Sequence, residues 1–192
     1  MTGAPKFTPG APRESVFFEL PGDLMMWVLI LSELLVFGAA LLAFLAVGAT
    51  DPVRFAADRA LLNQTAGAVN TIVLVTSGMF AALSVSAREV ENFRRSRFCL
   101  FAAAALGCVF LLVKAVEYSA KLGEGIGLDT SPFFTFYFLI TGFHALHVVA
   151  GIVILLLVAY ADSVRNIETA AAFWHMVDLV WVLLFPMIYL LG

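Results

Sequence analysis

The side chains in this sequence that could do chemistry within apolar surroundings are few, and their spacing is informative. His144 and His147 stand three residues apart in one hydrophobic run, and His175 and Asp178 stand three apart in another. On a helix that separation makes two side chains neighbours. Glu33 lies alone inside a third such run. Ionisable groups in hydrocarbon are costly, and they face protein or a water-filled cavity. Three histidines and two carboxylates are the ligand stock of a metal site, since neutral imidazole suits zinc, copper or iron. Facing histidines on two helices could also hold a haem. Against both readings, the sequence has no HExxH and none of the paired Glu-x-x-His motifs of a carboxylate-bridged di-iron bundle. The residues alone favour a hydrogen-bonded seam in which Glu33, His144, His147, His175 and Asp178 fix the register of the helices. An independent membrane metalloprotein using His144, His147 and His175 is the competing reading.

A carboxyl in hydrocarbon is neutral unless a cation is close, so Glu33 suits either a proton path or a plain hydrogen bond. A second cluster follows from Lys114, Glu117 and Lys121, at i, i+3 and i+7 on one helical face. Here the expectation is structural: the carboxylate pairs with the lysines while their stems reach toward the membrane edge.

Composition dictates the elements that position these groups. Of the 192 residues, 62% are hydrophobic and 13% charged, and the mean hydropathy is +0.98, which is too apolar for a soluble chain. This is the composition of an integral membrane protein. The net charge of -3 leaves no footprint for nucleic acid. Cys99 and Cys108 are nine residues apart on one helix, hence on opposite faces, and cannot bridge each other.

Hydrophobic runs predict an all-α bundle of five transmembrane helices at about 24–47, 66–87, 98–119, 132–161 and 169–191, preceded by a short arm at 1–23. The arm carries Pro5, Pro9, Pro12 and Pro21, lacks the pattern of a signal peptide, and offers Asp23 as a helix cap. Between the first two spans, 48–65 has room for a short surface helix around Pro52. In the second span Asn70, Ser77, Gly78, Ala81 and Ser84 recur at helical spacing, which marks a face packed on another helix. The stretch 88–97, with four arginines, reads as a charged hairpin. Ser131-Pro132 matches a helix start, and Pro186 should loosen the last helix by depriving the Val182 carbonyl of its partner.

An odd number of spans places the termini on opposite sides. Lys6, Arg13, Arg88, Arg94, Arg95, Arg97 and Arg165 fall on the N-terminal side, whereas Arg54, Arg59, Lys114 and Lys121 fall on the other. The positive-inside rule then predicts a cytoplasmic N-terminus and a periplasmic C-terminus in a bacterial inner membrane. Trp27 and Trp174 would belong to the inner aromatic belt, and Tyr118 and Tyr189 to the outer one. Glu33 lies about nine residues from the inner edge, hence ~14 Å deep. On this count Glu33, His144, His147, His175 and Asp178 share the inner to middle zone, while Lys114 and Glu117 occupy the outer half.

Several of these segments together resemble the subunit III family of haem-copper oxidases. They are Ser32-Glu33, Asn70-Thr71, Ser77-Gly78, Lys114-Ala-Val-Glu117-Tyr118, the segment from Thr141 to Gly151, and the segment from Trp174 to Trp181. The chain is similar to a short form of that family with five helices instead of seven. The run from Pro21 through Trp27 into Ser32-Glu33 and Gly38 looks most like the NorE proteins associated with nitric oxide reductase; subunit III of a quinol or cytochrome c oxidase is the alternative. The resemblance implies an accessory subunit without its own redox centre, partnered by a catalytic membrane subunit that carries haem and iron or copper. It also implies contact with phospholipid. For a nitric oxide reductase, net proton pumping is not expected, and a proton role for Glu33 recedes accordingly.

Overall fold

The structure is a computed structural model that describes residues 24–160 and 163–191. The expected arm at 1–23, with Asp23 as a cap, lies outside the described residues. Six α-helices follow in order: α1 Leu24–Gly48, α2 Pro52–Ala60, α3 Gln64–Glu89, α4 Phe93–Gly123, α5 Pro132–Ala159 and α6 Val164–Phe185, the last running into a π-helical turn Pro186–Leu190. All but α2 are long and apolar enough to cross a membrane. The protein is therefore an all-α, multi-pass membrane bundle.

Side-chain caps set most of the helix starts. Asp51 accepts from Arg54 N ahead of Pro52, Asn63 accepts from Ala66 N, and Ser131 Oγ accepts from Phe134 N ahead of Pro132. The short α2 lies at the far end of α1, with Phe55 buried against Phe44 and Phe133. Asp58 of α2 also accepts from the Ser131 hydroxyl at 2.6 Å, which ties α2 to the start of α5.

Two boundaries differ from the sequence expectation. The stretch 88–97 is not a ten-residue hairpin: α3 continues to Glu89 and α4 begins at Phe93. Asn92 caps α4 by accepting from Arg95 N, so Arg94, Arg95 and Arg97 form its exposed first turns. The reversal is compressed into Val90, Glu91 and Asn92, with Glu91 in the left-handed region at φ 56. Likewise α6 starts at Val164 and not near 169, because its polar first turns are helical although they lack an apolar pattern.

At the other end of α6, Pro186 has the anticipated effect in a particular form. The backbone widens into a π turn, closed by Leu191 N donating to Pro186 O at 2.8 Å. Arg59 Nε and Gln64 Nε2 reach over from α2 and α3 to the carbonyls of Ile188 and Tyr189.

The helices α3, α4, α5 and α6 form a ring in which each packs on its two neighbours, and α1 lies outside against α5 and α6. The most enclosed span is α6, the least enclosed α1. Lipid is as apolar as leucine, so packing and interhelical hydrogen bonds hold such a bundle. Two fully buried tryptophans of α6 supply both. Trp174 Nε1 donates to Ser77 Oγ of α3 at 3.0 Å, and Ser77 Oγ donates to Ala103 O of α4 at 2.8 Å. The Trp174 ring fits only because Gly107 of α4 and Gly151 of α5 lack a Cβ, which would stand 2.7 and 2.5 Å from ring carbons. Two turns on, Trp181 Nε1 donates to Thr71 Oγ1 of α3 at 3.1 Å while its ring meets Phe110 of α4 and His144 of α5. Each tryptophan thus pins four helices. The inner aromatic belt expected of Trp174, and the outer one expected of Tyr189, are corrected: both side chains are wholly enclosed by protein.

Candidate functional site

The small and polar face of α3 points into the ring. Asn70, Ser77, Gly78, Ala81 and Ser84 are all buried, and Asn70 Nδ2 donates to Phe110 O of α4 at 3.3 Å. The cysteines point apart, Cys99 buried and Cys108 exposed.

The five residues expected to form one polar seam fall into three separate arrangements. In the first, His147 of α5 meets Glu33 of α1, with Nε2 at 3.1 Å from Glu33 Oε2. The other ring nitrogen, Nδ1, lies 2.9 Å from the Phe143 carbonyl. A carbonyl only accepts, so Nδ1 carries a proton. The approach of Nε2 to Glu33 Oε2 is a close polar contact that is not aligned as a hydrogen bond. Phe37 and Phe143 crowd the imidazole edge-on at 5.5 and 4.7 Å. This pair is a polar tie between α1 and the ring.

In the second arrangement His144 stands by itself. It is fully buried, stacked on Trp181 at 5.3 Å and flanked by Phe110 and Phe37, and neither ring nitrogen has a hydrogen-bond partner. In the third, His175 and Asp178 of α6 face α3. Nδ1 of His175 lies 3.8 Å from Asp178 Oδ2, an ion contact too long for a hydrogen bond. The Asp178 carboxylate rests where a Cβ on Gly78 would fall.

The second cluster is the better-developed polar site. Lys114 Nζ donates to Glu117 Oε2, Tyr137 OH and Tyr189 OH at 3.0, 3.0 and 2.9 Å, which uses all three protons of an ammonium. Tyr189 OH in turn donates to Glu117 Oε1 at 2.8 Å. Tyr118 OH bonds to Thr141 Oγ1, whose own proton goes to Tyr137 O, so Tyr118 is the donor. The rings of Tyr118, Tyr137, Trp181 and Tyr189 lie 4.8 to 5.6 Å from the Lys114 nitrogen, a cation–π enclosure. Lys121 does not join this group; it pairs with Glu124 at 2.7 Å. Sequence reasoning found Lys114 and Glu117 but missed Tyr137, Tyr189 and Thr141. The available signal was depth, since hydroxyl-bearing residues of the fourth and fifth spans fall level with Lys114.

As chemistry, these arrangements fix helices and hold protons in place, and they do not converge on a reacting centre. Among the described residues no group of three or more His, Cys, Asp and Glu side chains stands together as a metal site would require. His144 lies against Trp181 and His175 beside Gly78, with no contact in common that would let a haem sit between them.

Residues 19–192 match the family described as cytochrome c oxidase subunit III. The chain is 30% identical over 173 residues to cytochrome c oxidase subunit 3 of Thermostichus vulcanus, covering 85% of this chain and 84% of that protein. It is 28% identical over 205 positions to cytochrome c oxidase subunit 3 of Alkalihalophilus pseudofirmus, covering 100% and 98%. A third relative is the heme-copper oxidase subunit I+III of Aeropyrum pernix, 28% identical over 179 residues, where 86% of this chain corresponds to 22% of that one.

Proposed function

The chain belongs to the cytochrome c oxidase subunit III family, and from that premise we propose that it is a non-catalytic accessory subunit of a haem-copper terminal oxidase. Its role is to support the stability and activity of a haem-bearing catalytic subunit in the bacterial inner membrane. The observation that carries this reading is the match over residues 19–192, which takes in all five spans. The orientation that goes with it puts the Arg88–Arg97 end in the cytoplasm. The fused subunit I+III relative supports a partner of the catalytic type. Phospholipid fits the same picture. A groove of about 430 Å³ bordered by Leu112, Val116, Glu117 and Lys121 suits an acyl chain with its head near the lysine.

A nitric oxide reductase partner is the second reading, favoured by the likeness of the first span to NorE. We place it second because the relatives named above are oxidase subunits. Affinity purification of the tagged chain from its native membranes tests both. The oxidase reading expects a haem-bearing subunit in the eluate that consumes oxygen with quinol or reduced cytochrome c. An eluate that reduces nitric oxide and leaves oxygen untouched supports the second reading, and one without haem overturns both.

A further inference from the structure

The faces of the bundle that look outward are not alike. Those of α1, α4 and α5 present aliphatic side chains such as Leu35, Leu112 and Leu146, each about two-thirds exposed or more. Hydrocarbon covers such faces at no cost. The outward face of α6 also exposes Leu179, Val182 and Leu183, but adds a polar group, His175, whose side chain is 47% exposed. His175 is six residues past Thr169, where the apolar part of α6 begins, hence ~9 Å below that edge and within the ~30 Å hydrocarbon layer. Lipid headgroups do not reach that depth, and lipid tails offer the imidazole nothing.

Two further observations point the same way. Asp178, one turn along, has both carboxylate oxygens buried behind His175 without a hydrogen-bond partner, and Oδ2 lies 3.8 Å from the His175 ring, so the group this face offers outward is the imidazole. Next to it, the flank of α3 exposes Met79, Ala82 and Ser86, at i, i+3 and i+7. That stripe is flexible, small and polar, and it follows the branched Val69, Ile72 and Val75 exposed nearer the start of α3. Ala172 of α6 is partly exposed beside His175, and Gly78 of α3 lets the two helices approach each other closely. Small residues around a polar group are what helix association within a membrane requires, because they let backbones close on a hydrogen bond.

We infer that the α3/α6 face, centred on His175 and Asp178, is the surface on which the catalytic subunit docks. The occupant is a transmembrane helix of that subunit with a hydrogen-bonding side chain level with His175. This inference rests on the function proposed above and adds which side of the bundle the partner occupies.

Site-specific photo-crosslinking in the intact membrane complex tests it. A benzophenone amino acid is placed at Leu179 or Met79, on the proposed face, and at Leu112 or Leu146, on the aliphatic ones. The expected result is a covalent adduct with the haem-bearing subunit from Leu179 and Met79 and none from Leu112 and Leu146. Adducts from the aliphatic positions alone overturn the inference. So does a self-adduct from Leu179, which would assign the face to a second copy. Lack of any adduct from Leu179 and Met79 in complexes that retain haem overturns it as well. Asp178→Asn and His175→Phe provide a second readout: each is expected to lower the haem retained per chain at least fivefold after detergent solubilisation, and unchanged retention in both overturns the inference. If the unsubstituted chain brings down no haem, the functional reading has failed, and the face assignment with it; retained haem with the wrong adducts defeats the face assignment alone.

Discussion

Lys114 Nζ lies 3.0 Å from Glu117 Oε2, and the two side chains are only 3% and 5% exposed. This ion pair is enclosed by protein, with Tyr137 and Tyr189 completing its hydrogen bonds. Removing one partner of a buried pair leaves the other charge uncompensated, at about 3–5 kcal/mol, whereas removing both is far milder. Lys114→Met is therefore expected to lower the thermal midpoint of the detergent-solubilised chain sharply. Lys114→Met combined with Glu117→Gln should recover much of the loss. A double variant as unstable as the sum of the singles would show that the pair is not coupled.

Trp174 is held by what its neighbours lack. Gly151→Ala forces a methyl against the ring, and overpacking of this kind costs about 1–3 kcal/mol. Trp174→Phe relieves the crowding but gives up the bond to Ser77, worth about 1 kcal/mol. The smaller ring should therefore make Gly151→Ala nearly neutral, which a four-point stability cycle measures directly. Strict additivity would refute the wedge.

At the α1 seam the prediction turns on shape and bonding together. Glu33→Gln keeps a polar side chain of the same size against His147 Nε2, while Nδ1 stays committed to the Phe143 carbonyl. Glu33→Leu strands the imidazole, at about 1–3 kcal/mol. Limited proteolysis of the loop after α1 should be accelerated in the leucine variant and little changed in the glutamine variant. Equal rates would mean that the contact does not hold α1.

Glu91 occupies the left-handed region with a side chain that makes this conformation unfavourable. Glu91→Gly is expected to raise stability by up to about 1 kcal/mol and Glu91→Val to lower it, read from the same thermal midpoints. A destabilising glycine there would contradict the backbone geometry.

The five spans are legible in the sequence because about twenty apolar residues admit few other fates. Ends were harder: Arg94, Arg95 and Arg97 look like loop residues until Asn92 is recognised as a cap that allows a helix to carry them. The polar residues show a deeper limit. Spacing gives depth along a helix, but not which neighbour each side chain meets. His144 and His147 differ by about 60° around α5, enough to send one into the ring against Trp181 and the other out to Glu33. Tyr189 was misread for a related reason, since a tyrosine near a span end suits a membrane interface as well as a buried lysine. Only the fold of α6 between its neighbours decides that.

The position of α1 outside the ring also has a consequence for how the protein is made. Its main contacts are with α5 and α6, and the histidine that Glu33 meets is 114 residues further along the chain. At translation rates of 5–20 residues per second, Glu33 is synthesised roughly 6–23 s before His147. During that interval the carboxyl has no partner from its own chain. Made before the helices it packs against, α1 is thus late to find its place, and the insertion machinery must keep it beside the growing bundle until α5 and α6 arrive.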